Sequence, residues 1–91
     1  MLHQFSRSEL LLGKKSMEKL NNSTVAIFGI GGVGAYVAEG LARTAVGNFV
    51  LVDDDVICLT NINRQLIATR STVGRPKVEV MAERIHDINP D

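Results

Sequence analysis

The sequence predicts an α/β fold of Rossmann type: a βαβ unit preceded by a helical segment, forming the first part of a larger, mostly parallel sheet. Three observations lead there. "STVAIF" (23–28) is a short apolar run rich in β-branched residues and closed by Gly29, as a buried parallel strand is. "GIGGVG" (29–34) follows at once and sets Gly29, Gly31 and Gly34 in G-x-G-x-x-G spacing, with Gly32 as an extra glycine. "NFVLVD" (48–53) is a second apolar strand, and it ends in Asp53, 19 residues beyond Gly34.

The remaining elements follow in order. "SRSELLLGKKSMEKLNN" (6–22) places Leu10, Met17 and Leu20 at helical spacing with Gly13 as a break, so one helix or two short ones are expected. From Gly31 to about Ala45, small residues alternate with Val33, Val37 and Leu41. The helix they predict can approach a sheet closely through Ala35, Ala38, Gly40 and Ala42. Strand, glycine turn, helix and strand make a βαβ crossover, which is right-handed in almost all proteins. After the irregular "DDDVICLTNINRQLIATRSTVG" (53–74), the stretch from Pro76 to Ile88 puts Val78, Met81, Ala82, Ile85 and Ile88 on one helical face. Pro76 suits the first turn, where its missing N–H costs nothing, and Asn89-Pro90 ends the helix.

Ninety-one residues suffice for one small domain with a single core. A composition of 45% apolar and 22% charged residues is that of an ordinary globular chain, which sets disordered and fibrous classes aside. Ten basic residues against ten acidic ones leave no net field to attract nucleic acid or a membrane surface to the chain as a whole. The single cysteine, Cys58, excludes a disulfide framework and fits a reducing compartment, so a cytoplasmic location is expected. No apolar run approaches the roughly 20 residues of a membrane helix, and the N-terminus lacks signal-peptide order. Two parallel strands make a poor sheet. Residues 1–91 are therefore expected to be the N-terminal part of a single larger domain, with 1–22 as a helical segment and 23–91 as the nucleotide-binding part.

Each glycine of the motif has a physical reason. Gly29 makes the tight turn, Gly31 lets backbone approach a phosphate, and Gly34 lets helix and strand pack closely. Phosphate would then sit at the helix N-terminus, where free N–H groups and the dipole favour negative charge. Asp53, at a strand's carboxyl end, is placed to accept hydrogen bonds from ribose hydroxyls. Asp54 reads as a solvated turn residue, and Asp55 as either that or a partner for the following loop. A dinucleotide pyrophosphate carries about two negative charges and is served by a helix terminus, whereas a triphosphate carries about four and needs cations as well. Arg64 and Lys77 are candidates for those cations. Lys77 lies in the first turn of its helix, where it opposes the macrodipole unless an anion binds there. Arg64 offers a planar fork for phosphate oxygens, and Asn61, Asn63 and Gln65 can fix its loop or donate to the nucleotide. The combination favours a triphosphate over NAD. Cys58 reads as a small apolar residue in a buried or half-buried position, Tyr36 and Phe49 as packing residues, and His3 and His86 as surface residues.

Together "GIGGVG", "VDDDV", "TNINRQ" and "TVGRPKVEVMAERIHDINP" resemble the ThiF/MoeB/HesA superfamily, which includes the ubiquitin-activating enzymes. The resemblance runs from Arg7 to Pro90 and implies ATP-dependent adenylation of a carboxylate. It further implies Gly29, Gly31, Gly32 and Gly34 under the phosphates, Asp53 on the ribose, and Arg64 and Lys77 on the phosphate chain. Arg7 matches an arginine that reaches into the partner's active site in such homodimers. Within the superfamily, the chain is most similar to the tRNA threonylcarbamoyladenosine dehydratases, which implies tRNA as the substrate, activated at the modified adenosine 37. The nearest alternative is adenylation of a ubiquitin-like sulfur-carrier protein; an NAD-dependent oxidoreductase and a non-catalytic nucleotide-binding domain are more distant ones. The family's Mg2+-binding aspartate would lie beyond residue 91, as would the substrate-recognising half, which implies that residues 1–91 alone are inactive.

Overall fold

The computed structural model describes residues 3–90. Gly13 adopts φ +87° and divides the N-terminal segment into α1 (Ser6–Leu12) and α2 (Lys14–Asn21). Met1 and Leu2, the start of the expected helical segment, lie outside the described residues. The chain continues through β1 (Thr24–Phe28), α3 (Gly32–Arg43) and β2 (Asn48–Val52), then a single 3-10 turn at Leu59–Asn61, and ends in α4 (Lys77–Ile88). These limits agree with the sequence expectations to within a residue or two. Pro76 stands at the N-cap of α4, just outside the position expected for it.

β1 and β2 pair in parallel, with Thr24 opposite Asn48 and Phe28 opposite Val52. Alternation along the strands sends Val25, Ile27, Phe49 and Leu51 to one face, where they meet the buried core of Ile30, Ala35, Ala38, Ile57, Ile67, Val80 and Met81. Ala26, Phe28, Val50 and Val52 point to the other face and are exposed, Phe28 at 79%. Among the described residues no layer covers that second face.

α3 packs on β1 and on α4. Ala35, Ala38 and Ala42 are fully buried, and their small side chains let the helix lie close to the strand. Val33, Tyr36 and Val37 project from the opposite side of the same 3.6-residue helix and are exposed. Tyr36, 54% exposed, is therefore not the packing residue expected from the sequence, whereas Phe49 does pack on the core.

The inner face of α4 also departs from the expected one. Lys77, Val80 and Met81 are buried, Val78 and Ile85 are half-buried against the core, and Ala82 is exposed. The docked stripe contains two charged residues, and both have acidic partners. Arg84 Nε pairs with Glu39 of α3, which also faces Arg43 at 3.7 Å, and Lys77 faces Asp55. Periodicity counted on apolar residues alone passes over a face that includes paired cations.

The long segment between β2 and α4 is irregular, yet its ends are pinned together. Ile57 N–H donates to Arg75 O (2.9 Å), Gly74 N–H to Ile57 O (2.8 Å) and Lys77 N–H to Asp55 O (3.0 Å). Ile57, Ile67 and Ala68 bury into the core beneath it.

The glycine spacing makes a sharp prediction about stability. A Cβ built on Gly34 would lie 1.8 Å from Gly29 O, while one on Gly32 meets nothing within 4 Å. Gly34→Ala should therefore destabilise the protein by about 1–3 kcal/mol or more, and Gly32→Ala should be neutral or stabilising by up to about 1 kcal/mol, since Gly is a poor helix former. Denaturant unfolding of the two variants checks this, and equal behaviour would contradict the close approach.

Candidate functional site

The site forms where the carboxyl ends of β1 and β2 meet the start of α3. Gly29 turns the chain with φ +94°, and its N–H donates to Val52 O at 2.8 Å, extending the strand ladder into the turn. Gly34 then lets the first turn of α3 close on the Gly29 carbonyl. Gly31 and Gly32 have a different role, because the fold does not require their missing side chains. A Cβ on Gly31 would make only an ordinary contact, at 3.8 Å, with Gln65 Nε2. The space above the N-terminus of α3 is open, and no side chain caps it. Its first N–H groups are left for an external acceptor, and the helix dipole makes an anion the favoured one.

Asp53 locks this turn in place. Its Oδ2 accepts from Ile30 N–H at 2.7 Å and its Oδ1 from Asp55 N–H at 2.8 Å. Burial pushes the carboxyl pKa up, but the two N–H donors and the charge of Lys77 together outweigh it, so the pKa lies below the ordinary 3.8. Lys77 Nζ, with its side chain only 8% exposed, stands 3.9 Å from Asp55 Oδ2. The structure thus brings Gly29, Gly31, Gly32, Gly34, Asp53, Asp55 and Lys77 to one end of the sheet. Asp54 is exposed beside them.

The amide-rich loop divides its labour. Asn61 is buried and structural: its Oδ1 accepts from Cys58 N–H at 2.9 Å and closes the 3-10 turn. Gln65 is buried against Gly31, and its Oε1 has no hydrogen-bond partner among the described residues. A buried amide oxygen left unpaired costs about 1–3 kcal/mol, a local cost carried beside the glycine turn. Arg64 is exposed; its Nη1 donates to Thr60 O (3.2 Å) and Asn63 Oδ1 (3.0 Å). Arg64 thus lies on its own loop and is not gathered with Lys77. Arg7 is exposed on α1, has no hydrogen bond or ion pair among the described residues, and lies outside the group. Cys58 is exposed, contrary to the buried or half-buried position expected of it. His3 and His86 are surface residues, as expected, His3 pairing with Glu9 at 3.4 Å.

Carboxylate oxygens of Asp53, Asp54 and Asp55 lie within 4.8 Å of one another. Both Asp53 oxygens are taken by backbone N–H groups and an ammonium stands beside Asp55, so the triplet does not fit a Mg2+ cage. The Ile30 N–H and the Arg84–Glu39 pair could not be read from spacing. Their signal exists only once α3 and the turn have been folded.

A glycine turn at parallel strand ends, opening an uncapped helix, defines a Rossmann-like α/β domain. The chain belongs to the ThiF family, whose model matches residues 5–91. It is 60% identical over its whole length to a tRNA threonylcarbamoyladenosine dehydratase of Bacillus subtilis (strain 168) and covers 36% of that protein. The E. coli tRNA N6-threonylcarbamoyladenosine dehydratase solved in complex with ATP superimposes on 96% of the chain with a TM-score of 0.93 at 47% identity, and the chain covers 36% of it. The sulfur carrier protein ThiS adenylyltransferase of Escherichia coli (strain K12) is 40% identical over 90 residues, which are 97% of this chain and 36% of that protein. The chain thus spans about a third of the length of the relatives it matches.

Two predictions follow from the geometry. Lys77→Met removes a buried ammonium from a helix N-terminus and should leave stability unchanged within about 1 kcal/mol or raise it; a clear drop in the unfolding midpoint would make Lys77 a structural residue. Asp53, with its pKa lowered on folding, contributes stability that is fully present above the ordinary 3.8 and lost as pH falls through its depressed folded value. Asp53→Asn should therefore flatten the acid limb of a stability-versus-pH profile measured from pH 7 to pH 2, and an unaltered limb would contradict the assignment.

Proposed function

We propose that this chain is the ATP-binding part of an enzyme that adenylates a carboxylate, and that the carboxylate is the threonylcarbamoyl group of a modified adenosine in tRNA. The observation that carries the reading is the buried Lys77, kept beside Asp55 at the same end of the sheet as the open glycine turn. A cation held against its own helix dipole is explained by a polyphosphate that neutralises it. The choice of tRNA is supported by the 60% identity to a dehydratase, against 40% to the sulfur-carrier adenylyltransferase.

In this reading the ATP phosphates lie against the free N–H groups of α3 over Gly31 and Gly32. Asp53 uses its remaining lone pairs for the ribose hydroxyls. Gln65, whose Nε2 lies against Gly31, backs the phosphate-binding turn. Lys77 neutralises the phosphate chain, and Arg64 exchanges its two neutral acceptors, Thr60 O and Asn63 Oδ1, for phosphate oxygens. Arg7 of a second copy in a homodimer supplies a further cation. Mg2+ accompanying ATP adds charge neutralisation.

The substrate carboxylate oxygen attacks the α-phosphorus, the bond to the bridging oxygen breaks, and pyrophosphate leaves. A nucleophilic atom of the same side chain then attacks the acyl carbon, AMP departs with the former carboxylate oxygen, and a proton is released. The net change in the tRNA is the loss of one water. Activation is needed because oxide is a poor leaving group and AMP a good one. Positioning and charge neutralisation carry most of the rate gain. The reaction belongs in the cytoplasm, where ATP and tRNA meet.

The test is incubation of the full-length protein with ATP, Mg2+ and tRNA bearing threonylcarbamoyladenosine, followed by mass spectrometry of the nucleosides. A product lighter by one water is expected, and Lys77→Ala or Arg64→Ala should slow pyrophosphate release by about 10²-fold or more. Unchanged tRNA together with adenylation of a sulfur-carrier protein would move the chain to that reading, and thermal stabilisation by NAD but not by ATP would end both.

A further inference from the structure

We propose that the open groove lined by Leu59, Thr60, Ile62, Asn63 and Arg70 docks the single-stranded RNA backbone of the substrate, with Arg70 holding a phosphate; the proposal rests on the tRNA reading above.

The groove has a volume of about 520 Å³ and lies between the 3-10 turn and the bend at Thr69–Thr72. The segment that builds it is one-sided in charge. From Val56 to Arg75 the chain carries three arginines and no aspartate, glutamate or lysine, although the whole sequence is balanced at ten basic and ten acidic residues. Arg75 is committed to Glu79, at 2.6 Å, and to Glu83. Arg64 meets only neutral acceptors. Arg70 is exposed and has no hydrogen bond or ion pair with any described residue. With Arg64 assigned to the triphosphate, Arg70 is the guanidinium that this carboxylate-free segment leaves for a second anion, and a cation on the groove wall fits a backbone phosphate.

The neighbouring groups fit RNA in particular. Asn63 uses its Oδ1 for Arg64, which leaves its amide N–H donors for phosphate or 2′-hydroxyl oxygens. Leu59, 67% exposed, and the exposed Ile62 offer apolar surface to ribose or to an unstacked base. Modified bases are reached when single-stranded loops splay them out, which places backbone phosphates on the protein surface around the pocket. The groove shares Thr60 and Asn63 with the acceptors of Arg64, so RNA seated there runs beside the loop whose arginine is assigned to the triphosphate.

The experiment uses the full-length protein and modified tRNA, with filter binding over a range of salt concentrations and steady-state kinetics. Arg70→Ala should weaken tRNA binding by about threefold to tenfold and lower the slope of log K against log salt by about 0.7–1, the value for one phosphate contact. KM for tRNA should rise while KM for ATP stays unchanged. Arg70→Glu should do worse, and Arg70→Lys should restore most of the loss; since Arg70 has no partner among the described residues, unfolding midpoints should not move. If the wild type dehydrates tRNA and Arg70→Glu matches it in binding, salt slope and KM, the docking surface is wrong and the function stands. Loss of affinity for a sulfur-carrier protein in place of tRNA would assign the groove to a protein partner. A wild type that neither binds nor dehydrates modified tRNA overturns both this proposal and the reading beneath it.

Discussion

The carboxylate of Asp53 accepts one N–H from Ile30 and one from Asp55, and the arrangement of the whole site depends on that pair of hydrogen bonds. Bonds to an ionised acceptor are about twice as strong as neutral ones. One of them ties the end of β2 to the glycine turn that leaves β1; the other folds the chain after β2 back on itself. The turn is held from three directions: by Asp53, by Gly29 N–H on Val52 O, and by the contact of Gly34 with the Gly29 carbonyl. This fixes the direction in which α3 departs and therefore where its free N–H groups point. Replacing any of the three leaves the others to resist the motion alone.

The irregular segment after β2 acts as a positioning device, in spite of its lack of regular structure. Residues far apart along the chain are closed together by the backbone bonds joining 55–57 to 74–77. Closing such a loop costs entropy that grows only slowly with its length, and burial of Ile57, Ile67 and Ala68 offsets it. The result is that Lys77 emerges beside Asp55, and Gln65 comes to rest against Gly31. Asn61, buried and bonded to Cys58 N–H, keeps the turn between them in shape.

Several groups in this region are unfavourable for stability when considered alone. Lys77 sits at the positive end of α4, Gln65 Oε1 is buried unpaired, and α3 starts without a cap. They lie around the same end of the sheet, Lys77 beside Asp55 and Gln65 beside Gly31. Local rules broken together at one place, while the surrounding fold obeys them, are the mark of a site shaped for a ligand.

Much of this was legible in the residues. Strand runs, glycine spacing and the terminal Asp53 determined the βαβ unit and the end of the sheet where the site lies, because parallel strands, left-handed turns and close helix approach each admit few residue types. The positive φ at Gly29 and the intolerance of a side chain at Gly34 are direct consequences of that spacing. Tertiary structure alone decided the rest. It turned the inner face of α4 toward Lys77 and Arg84, because a charge joins a buried face only where a partner such as Asp55 or Glu39 awaits it. It exposed Tyr36 and Cys58, sent Asn61 inward, and left Arg64 on its own loop. Spacing along a chain reports which residues share a face, but the partners that make burial of a polar group affordable come from other elements, and their distance is set only when the elements pack.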